Sequence, residues 1–241
     1  YIAVDPEEVV ERVKKNVSNK AKDRVNQGAA VLMTTVGKAK ELGIAEEKWV
    51  YLHGYANTTE RVLLERTSLG QSEGMKQSLL GALSNAEKTI DDIQHLDIYS
   101  CFPIVVSEAK RILNIKKDDK RPLTQTGGLP FFGGPGNNYT MHGIASLVEN
   151  LRKDRGSFGL VYANGGVMSK HSVGIYSTRA PAGEWQPCES ARLQKALDQR
   201  PAAQVDFAPD GEAEIETYVI NYLKGQPLSA AVVAKMTATG K

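Results

Sequence analysis

The sequence predicts an α/β fold with a mixed, mostly parallel sheet of five strands and helices on both faces. Short apolar runs bounded by turn residues alternate along the chain with longer segments whose apolar residues recur at threes and fours. The first pattern is typical of buried strands, and the second is typical of amphipathic helices. Strands that alternate with helices favour parallel pairing. The 241 residues, 41% of them hydrophobic, are enough to bury one good core.

The elements follow these patterns in chain order. Five apolar runs predict the strands of the sheet: AAVLMTT (29–35), KWVYLHGYANT (48–58), the end of IDDIQHLDIYSCF (90–102), GLVYA (159–163) and SVGIYST (172–178). A further short strand, LTQT (123–126), precedes a cluster of glycines. Helical spacing predicts helices over 72–90, over IVVSEAKRILNI (104–115), where Pro103 suits the first turn, and from near Asn138 onward.

Composition and charge exclude several classes of function. The net charge is only +2, with 30 basic and 28 acidic residues and no basic stripe, so nucleic acid is not expected as a partner. No apolar run is long enough for a membrane span and no signal peptide is evident, so a cytoplasmic location is expected. The two cysteines, Cys101 and Cys188, lack the spacing of zinc ligands or of a disulfide framework. We therefore expect free thiols, no metal and no cofactor.

Three unusual turns each follow a predicted strand. They are the turn at Cys101, the glycine-rich stretch TGGLPFFGGPGNNYTMHG (126–143) with its one histidine, and ANGG (163–166). In open α/β sheets, binding sites form at the carboxyl ends of the strands. The three turns are therefore predicted to converge on one cleft.

His142 is predicted to lie in the first turn of the helix that follows the glycines. The positive end of a helix dipole favours a neutral imidazole, which can donate a hydrogen bond to a developing oxyanion or act as a base. The glycines let a substrate carbonyl or thioester approach the backbone, and Asn137 and Asn138 are suitable N-cap residues. The alternative is a histidine whose ring is satisfied by a backbone carbonyl, and the residues alone leave both open.

Cys101 lies between the end of a strand and the start of a helix. Unpaired backbone N–H groups at a helix start stabilise a thiolate, which predicts a thiol pKa lowered toward neutrality. A free cysteine also packs well as a small hydrophobic side chain, and that structural role is the alternative. A structural role is expected for Cys188 in the polar tail, and for His53, His95 and His171 inside or beside strands.

Three motifs in this order and spacing resemble the C-terminal half of a thiolase: DIYSCFP, LTQTGGLPFFGGPGNNYTMHGIASLVENLR and ANGGVMSKHSVGIYST. The similarity runs from about Asp23 to about Thr178. It is greatest to the sterol-carrier and lipid-transfer branch of the thiolase superfamily, which includes acetyl-CoA acetyltransferases. The resemblance implies a thiolase-like half domain whose substrate is a coenzyme A thioester.

The resemblance also implies roles for individual residues. His142 matches the histidine that helps to activate the nucleophile and binds the thioester oxygen, although Met141 and Gly143 flank it where thiolases have glycine and proline. Cys101 matches the acid/base cysteine of the sterol-carrier type, and Tyr99 stands where an Asn or His orients a water in the oxyanion hole. The residues implied to bind substrate are Gly133, Gly134, Gly136, Asn138, Asn164 and Gly165.

The family pattern divides the chain as well. Residues 1–28 are interpreted as a remnant of the N-terminal thiolase half, 29–180 as the C-terminal thiolase-like domain, and 181–241 as a linker and the start of a small β-rich domain. A composition shift at PAGEWQ (181–186) supports the second boundary. The nucleophilic cysteine of thiolases is expected outside this chain, in the N-terminal half. The full protein is expected to be a homodimer or a higher oligomer.

Three functions follow from these expectations. The leading hypothesis is a thiolase-type acyl-CoA C-acyltransferase, in which Cys101 removes a proton from the α-carbon of an acyl-CoA and His142 stabilises the oxyanion. The second is a retro-aldolase that acts on a branched or steroid-derived acyl-CoA with Tyr99 as its base. The third is a non-catalytic scaffold that binds acyl-CoA or lipid.

Overall fold

The structure is a computed structural model, and it describes residues 24–240. Its helices are α1 (Val36–Glu41), α2 (Glu73–Asn85), α3 (Pro103–Ile112), α4 (Leu129–Phe132), α5 (Tyr139–Lys153) and α6 (Ser190–Asp198). Its strands are β1 (Tyr51–Thr59), β2 (His95–Ile98), β3 (Phe158–Gly165), β4 (Lys170–Ser177), β5 (Ala213–Leu223) and β6 (Gln226–Met236). These elements form two compact units, one of residues 24–60 and 70–199 and one of residues 61–69 and 200–240.

The first unit is built on a four-stranded sheet in the order β1-β4-β3-β2. β1 and β3 both pair antiparallel with β4, and β2 pairs parallel with β3. The described chain thus has a mixed sheet with one parallel pair, in place of the five mostly parallel strands that were predicted. The physical reason is the short connection between β3 and β4, residues 166–169, which can join antiparallel neighbours but cannot cross over to a parallel one.

Two predicted strands are absent from the sheet. Residues 29–35 have no regular structure before α1, and Leu32 and Met33 are exposed, because this apolar run has no neighbouring strand in the described chain. The short strand LTQT is replaced by an irregular segment along β2. There the Asp97 carboxylate acts in place of a strand partner, since its Oδ2 accepts from the Gln125 N–H at 2.7 Å and from the Thr124 hydroxyl at 3.2 Å.

Helices cover both faces of this sheet, as predicted. Side chains alternate along β3, so that Leu160 and Tyr162 point to the face covered by α2 and α3, while Val161 points to the face covered by α5. The larger core cluster lies on the first face. On the second face, Leu147 and Leu151 of α5 pack with Val161.

Side chains of α6 cover the outer edge of β1. The backbone N–H of Asn57 donates to Ser190 Oγ at 3.2 Å. Gln194 accepts from the N–H of Thr59 at 2.7 Å and donates to its carbonyl at 3.0 Å. These bonds attach α6 to the first unit, which extends to Gln199.

The second unit contains the hairpin of β5 and β6, which pair antiparallel. Nearly every residue of the two strands is exposed, and both strands carry large apolar side chains, among them Ile215, Val219, Leu228 and Val232. The tail from residue 181 onward was expected to begin a small β-rich domain. Within the described residues, its β structure is this hairpin.

The remnant of an N-terminal half that was expected over residues 1–28 lies mostly outside the described residues. Residues 24–28 have no regular secondary structure. Within residues 24–240, no helix has both the length and the apolar character needed to cross a membrane.

Candidate active site

The strand topology brings the three predicted turns toward one end of the sheet, the end at which β2 and β3 finish. β2 and β3 are parallel, so their carboxyl ends lie together and the residues that follow them leave the sheet at the same end. Cys101 follows β2, and Asn164 and Gly165 end β3. The start of α5 approaches the same end of the sheet. There the rings of Tyr139 and Tyr99 make a T-shaped contact, with centroids 5.4 Å apart.

A cavity of about 560 Å3 opens at this end of the sheet. The predicted site residues that line it are Tyr99, Gly136, Asn164 and Gly165. Hydroxyl and amide side chains make up much of the remaining wall, among them Asn57, Thr58, Thr140, Ser172 and Ser190. The predicted residues outside the described lining are Cys101, Gly133, Gly134, Asn138 and His142. Among residues 24–240, no group of three or more His, Cys, Asp or Glu side chains is placed to hold a metal ion.

Cys101 is half-buried and in contact with Asn164. Asn164 Nδ2 donates a hydrogen bond to Cys101 Sγ over 3.5 Å. Burial raises the pKa of the Cys101 thiol, and hydrogen bonds from Asn164 and from the backbone at Phe102 lower it only in part. The expectation that the helix start lowers this pKa toward neutrality is therefore corrected, because burial outweighs these hydrogen bonds.

Tyr99 places its phenol in the cavity wall. Burial raises the pKa of Tyr99, and the nearby Cys101 and Tyr139 raise it further. A phenol whose pKa is raised stays protonated at neutral pH. Tyr99 is therefore suited to donate a hydrogen bond to a substrate oxygen and poorly suited to act as a base.

His142 lies in the first turn of α5, as predicted. Asn138 Nδ2 lies 3.2 Å from His142 Nε2, and because the amide nitrogen is a donor, this contact assigns the hydrogen of a neutral ring to Nδ1. The Phe132 ring packs edge-on against the imidazole, with centroids 5.1 Å apart. Asn138 was expected to cap α5, but its side chain makes no capping hydrogen bond and orients His142 instead.

Cys101 and the helix that carries His142 pack against different core clusters. α5, which carries His142, packs on one face, and Cys101 packs with the core cluster on the other. The start of α5 nevertheless reaches the cavity through Asn137 and Thr140. That His142 and Cys101 act on one substrate stays a prediction.

The backbone conformation favours glycine at two of the positions before His142. Gly133 has a φ of +111° and Gly136 a φ of +58°, conformations that favour glycine. A Cβ on Gly133 would lie 2.6 Å from Val25 Cγ1, and Gly134 is buried. Backbone geometry accounts for Gly133 and Gly136, and the role of all three glycines in holding a thioester stays a prediction.

Asp97 is a buried carboxyl group that sequence reasoning missed. It is 1% exposed, and among the described residues its Oδ1 has no hydrogen-bond partner. A Cβ on Gly143 would lie 2.7 Å from this oxygen. Gly143 therefore lets α5 pack directly over Asp97. The signal in the sequence is an acidic residue between Leu96 and Ile98 in an otherwise apolar strand.

Replacing Asp97 by asparagine is expected to remove one component of the pH dependence of stability. Burial raises the pKa of Asp97 in the folded chain above its ordinary value of 3.8, against partial lowering by hydrogen bonds from Gln125 and Thr124. The folded state holds this proton more tightly than the unfolded state. Its contribution to stability is therefore fully present below about pH 4 and is lost as the pH rises through the folded pKa.

Urea unfolding at a series of pH values measures this effect. Between about pH 4 and pH 7, the free energy of unfolding of the wild type should fall relative to that of Asp97→Asn. Parallel curves for the two proteins would contradict a raised pKa at this position.

The chain is similar to a solved structure described as a monomeric SCP2-thiolase like protein type 1 from Mycobacterium smegmatis, with 43% sequence identity and a TM-score of 0.79. The match covers 84% of this chain and 44% of that chain, so the sequence spans less than half the length of this relative. No protein-family model and no curated protein matches the chain. The chain therefore has an SCP2-thiolase-like fold.

Proposed function

We propose that the chain carries the acid/base and oxyanion part of a thiolase-type site, which makes or cleaves a C–C bond next to a coenzyme A thioester. The observation that carries this proposal is the hydrogen bond from Asn164 to Cys101, beside a cavity that Tyr99 and Asn164 line. It joins residues from two of the three motifs that resemble thiolases. The fold similarity to an SCP2-thiolase-like protein supports the same assignment.

In the proposed reaction, the Cys101 thiolate removes a proton from the α-carbon of an acyl-CoA. The electron pair of the broken C–H bond moves toward the thioester oxygen, and the resulting enolate accepts a hydrogen bond from His142 Nδ1–H. The enolate carbon then attacks the carbonyl carbon of an acyl group held on a second cysteine, so that a C–C bond forms, the C–S bond to that cysteine breaks and the cysteine leaves as a thiolate. That nucleophile is proposed to lie outside this chain, in an N-terminal thiolase half.

The substrate-binding roles are proposed for this cavity and for the glycine-rich turn that precedes α5. The acyl thioester would lie against the backbone of Gly133, Gly134 and Gly136, and Asn164 and Gly165 would face it from the end of β3. Coenzyme A acts in this scheme as part of the substrate and not as a resident cofactor. The cavity walls near Thr58 and Ser172 offer neutral hydrogen-bonding groups to the acyl part.

A retro-aldolase is the second candidate, because Tyr99 lines the cavity and could contact a hydroxyl on the substrate. The raised pKa of Tyr99 favours the acyltransferase, since a protonated phenol is a weak base. Assembly with an N-terminal half and formation of a homodimer or higher oligomer remain proposals, and the similar protein from Mycobacterium smegmatis is described as monomeric.

Incubation of the chain with acetyl-CoA in D2O tests the proposed function. Acid/base and oxyanion groups suffice to remove and return an α-proton, so deuterium is expected to enter the acetyl methyl group faster than without protein. Proton NMR of the methyl signal measures this exchange. No C–C bond should form, because the nucleophile is proposed to lie elsewhere. Binding of acetyl-CoA without exchange would contradict the proposal and favour the non-catalytic scaffold.

A further inference from the structure

One wall of the cavity carries a cation. Lys170 lies at the start of β4 and lines the cavity. Among residues 24–240, its ammonium group makes no ion pair and no hydrogen bond. The described lining contains no aspartate or glutamate, and apart from Lys170 and His171 its side chains are neutral. Lys170 is therefore the fixed charge that a bound molecule meets in the described part of this cavity.

The side chain of Lys170 follows the end of β3. Lys170 pairs with Gly165 of β3 on one side and with Thr59 of β1 on the other. A Cβ on Gly165 would lie 3.5 Å from Lys170 Cβ and 3.9 Å from its Cδ, so the apolar stem of the lysine passes over the glycine. A lysine stem packs on apolar surface in this way while its charged end stays in the open.

The acidic residue that follows β1, Glu60, is directed to the start of α2. Its Oε2 accepts from the Ser72 hydroxyl at 3.0 Å and from the Gly74 N–H at 2.6 Å. Glu60 therefore does not neutralise Lys170, although the two residues are close in the sheet. A cation in a cavity whose described lining holds no carboxylate creates a positive potential, which favours an anionic group on the ligand.

The charge of Lys170 acts at a distance from the proposed acid/base group. The pKa of Cys101 is shifted by burial and by hydrogen bonds from Asn164 and the backbone, and that of Tyr99 is shifted by burial and by Cys101 and Tyr139. A cation close to either group would lower its pKa, and Lys170 is not among these causes. Lys170 is therefore placed to meet a part of the substrate other than the developing enolate.

A carboxylate on the acyl chain suits this position better than a phosphate of coenzyme A. Phosphate groups are typically recognised by clusters of basic side chains. The described lining offers one lysine among hydroxyl and amide groups, which matches a single negative charge. The hydroxyls of Thr59 and Ser172 lie in the same wall and can donate hydrogen bonds to carboxylate oxygens.

We propose that Lys170 binds a carboxylate on the acyl chain, remote from the thioester, so that the site prefers half-thioesters of dicarboxylic acids to thioesters of fatty acids. The proposal deepens the proposed function of the same cavity and rests on it for the coenzyme A thioester. The ammonium group and the carboxylate form an ion pair, and a hydrogen bond to a charged group is stronger than one to a neutral group. Lys170 then determines specificity and takes no part in proton transfer.

Calorimetry with matched thioesters tests the proposal. Succinyl-, glutaryl- and adipyl-CoA are compared with butyryl-, pentanoyl- and hexanoyl-CoA, so that in each pair a carboxylate replaces the terminal methyl group. At one or more of these chain lengths, the wild type should bind the carboxylated thioester about tenfold more tightly than its neutral partner. The preference should decrease as NaCl is raised from about 20 mM to about 500 mM, because salt screens an ion pair at an exposed lysine.

Three variants of Lys170 assign the preference to this side chain. Lys170→Met keeps a stem over Gly165 without the charge and should abolish the preference. Lys170→Arg keeps the charge and should retain it, and Lys170→Glu should reverse it. Because Lys170 is exposed, these substitutions leave the core intact. The matched control is Lys195→Met on α6, which removes an exposed cation outside the described lining and should keep the wild-type preference.

The possible results separate this proposal from the proposed function. Equal affinities within every pair overturn it, and so does an equal loss of affinity for both members of a pair in Lys170→Met, since the lysine would then bind coenzyme A itself. If the preference depends on Lys170 while the wild type exchanges no deuterium into acetyl-CoA, the specificity stands and the proposed function fails. Exchange without a preference has the opposite meaning. Binding of no thioester overturns both.

Discussion

Replacing Cys101 by serine is expected to lower the rate of α-proton exchange on acetyl-CoA by about 10²–10⁴-fold, the usual contribution of general acid–base catalysis. A serine hydroxyl is close to the thiol in size and can accept the hydrogen bond from Asn164, but it does not ionise in the neutral range. The substitution therefore removes proton transfer and keeps the shape of the site. Binding of acetyl-CoA, measured by calorimetry, should be unchanged.

The pH profile and a second cysteine provide the controls for this result. Because burial raises the pKa of Cys101, the wild-type rate should increase as the pH rises toward that pKa, and the serine variant should lack this increase. Cys188→Ser should exchange at the wild-type rate, since Cys188 is outside the described cavity lining. A Cys101→Ser chain with full exchange would show that Cys101 is not the base.

Replacing Gly143 by alanine is expected to destabilise the chain by about 1–3 kcal/mol, although alanine is the better helix former. The added Cβ would lie 2.7 Å from Asp97 Oδ1. Asp97 cannot easily turn away, because its Oδ2 holds the Gln125 N–H and the Thr124 hydroxyl. α5 must then move away from β2, which also displaces His142. Urea unfolding at neutral pH measures the loss.

A double-mutant cycle separates this overlap from a general effect of alanine. In an Asp97→Ala background, adding Gly143→Ala should cost less than about 1 kcal/mol, because the carboxyl group that it meets is gone. Gly37→Ala in α1 is the matched control, since open space surrounds the position of its Cβ, and it should be neutral or stabilising. Equal costs of Gly143→Ala in both backgrounds would show that Asp97 is not the obstacle.

The sequence predicted most elements of the fold, because the pattern of apolar residues records which side chains need burial. Met75 and Leu79 recur at helical spacing, and α2 buries both. Strand pairing was harder to predict from the sequence. The run at 29–35 has the composition of a strand, but a strand also requires a neighbour, which local pattern does not contain. The direction of β4 follows from the length of the connection at 166–169, and alternation along the strand is the same for either direction.

The motifs named candidate residues for the site but could not show their contacts. Cys101 and Asn164 are 63 residues apart, and their hydrogen bond depends on the register of β2 with β3. The pKa of Cys101 was predicted in the wrong direction because the degree of burial cannot be seen in a seven-residue motif. His171 was expected to be structural, and each of its ring nitrogens has a hydrogen-bond partner. Its contact with the Tyr162 hydroxyl is visible only when β3 and β4 lie side by side.

The covered edge of β1 also protects the chain against uncontrolled growth of its sheet. An edge strand with free N–H and C=O groups is a template on which a strand from another molecule can add, and such addition leads to aggregation. In this chain Ser190 and Gln194 occupy those positions at Asn57 and Thr59, so an incoming strand would have to displace a folded helix and not only water. α6 therefore has two roles. It forms a wall of the cavity, and it prevents another strand from pairing with β1.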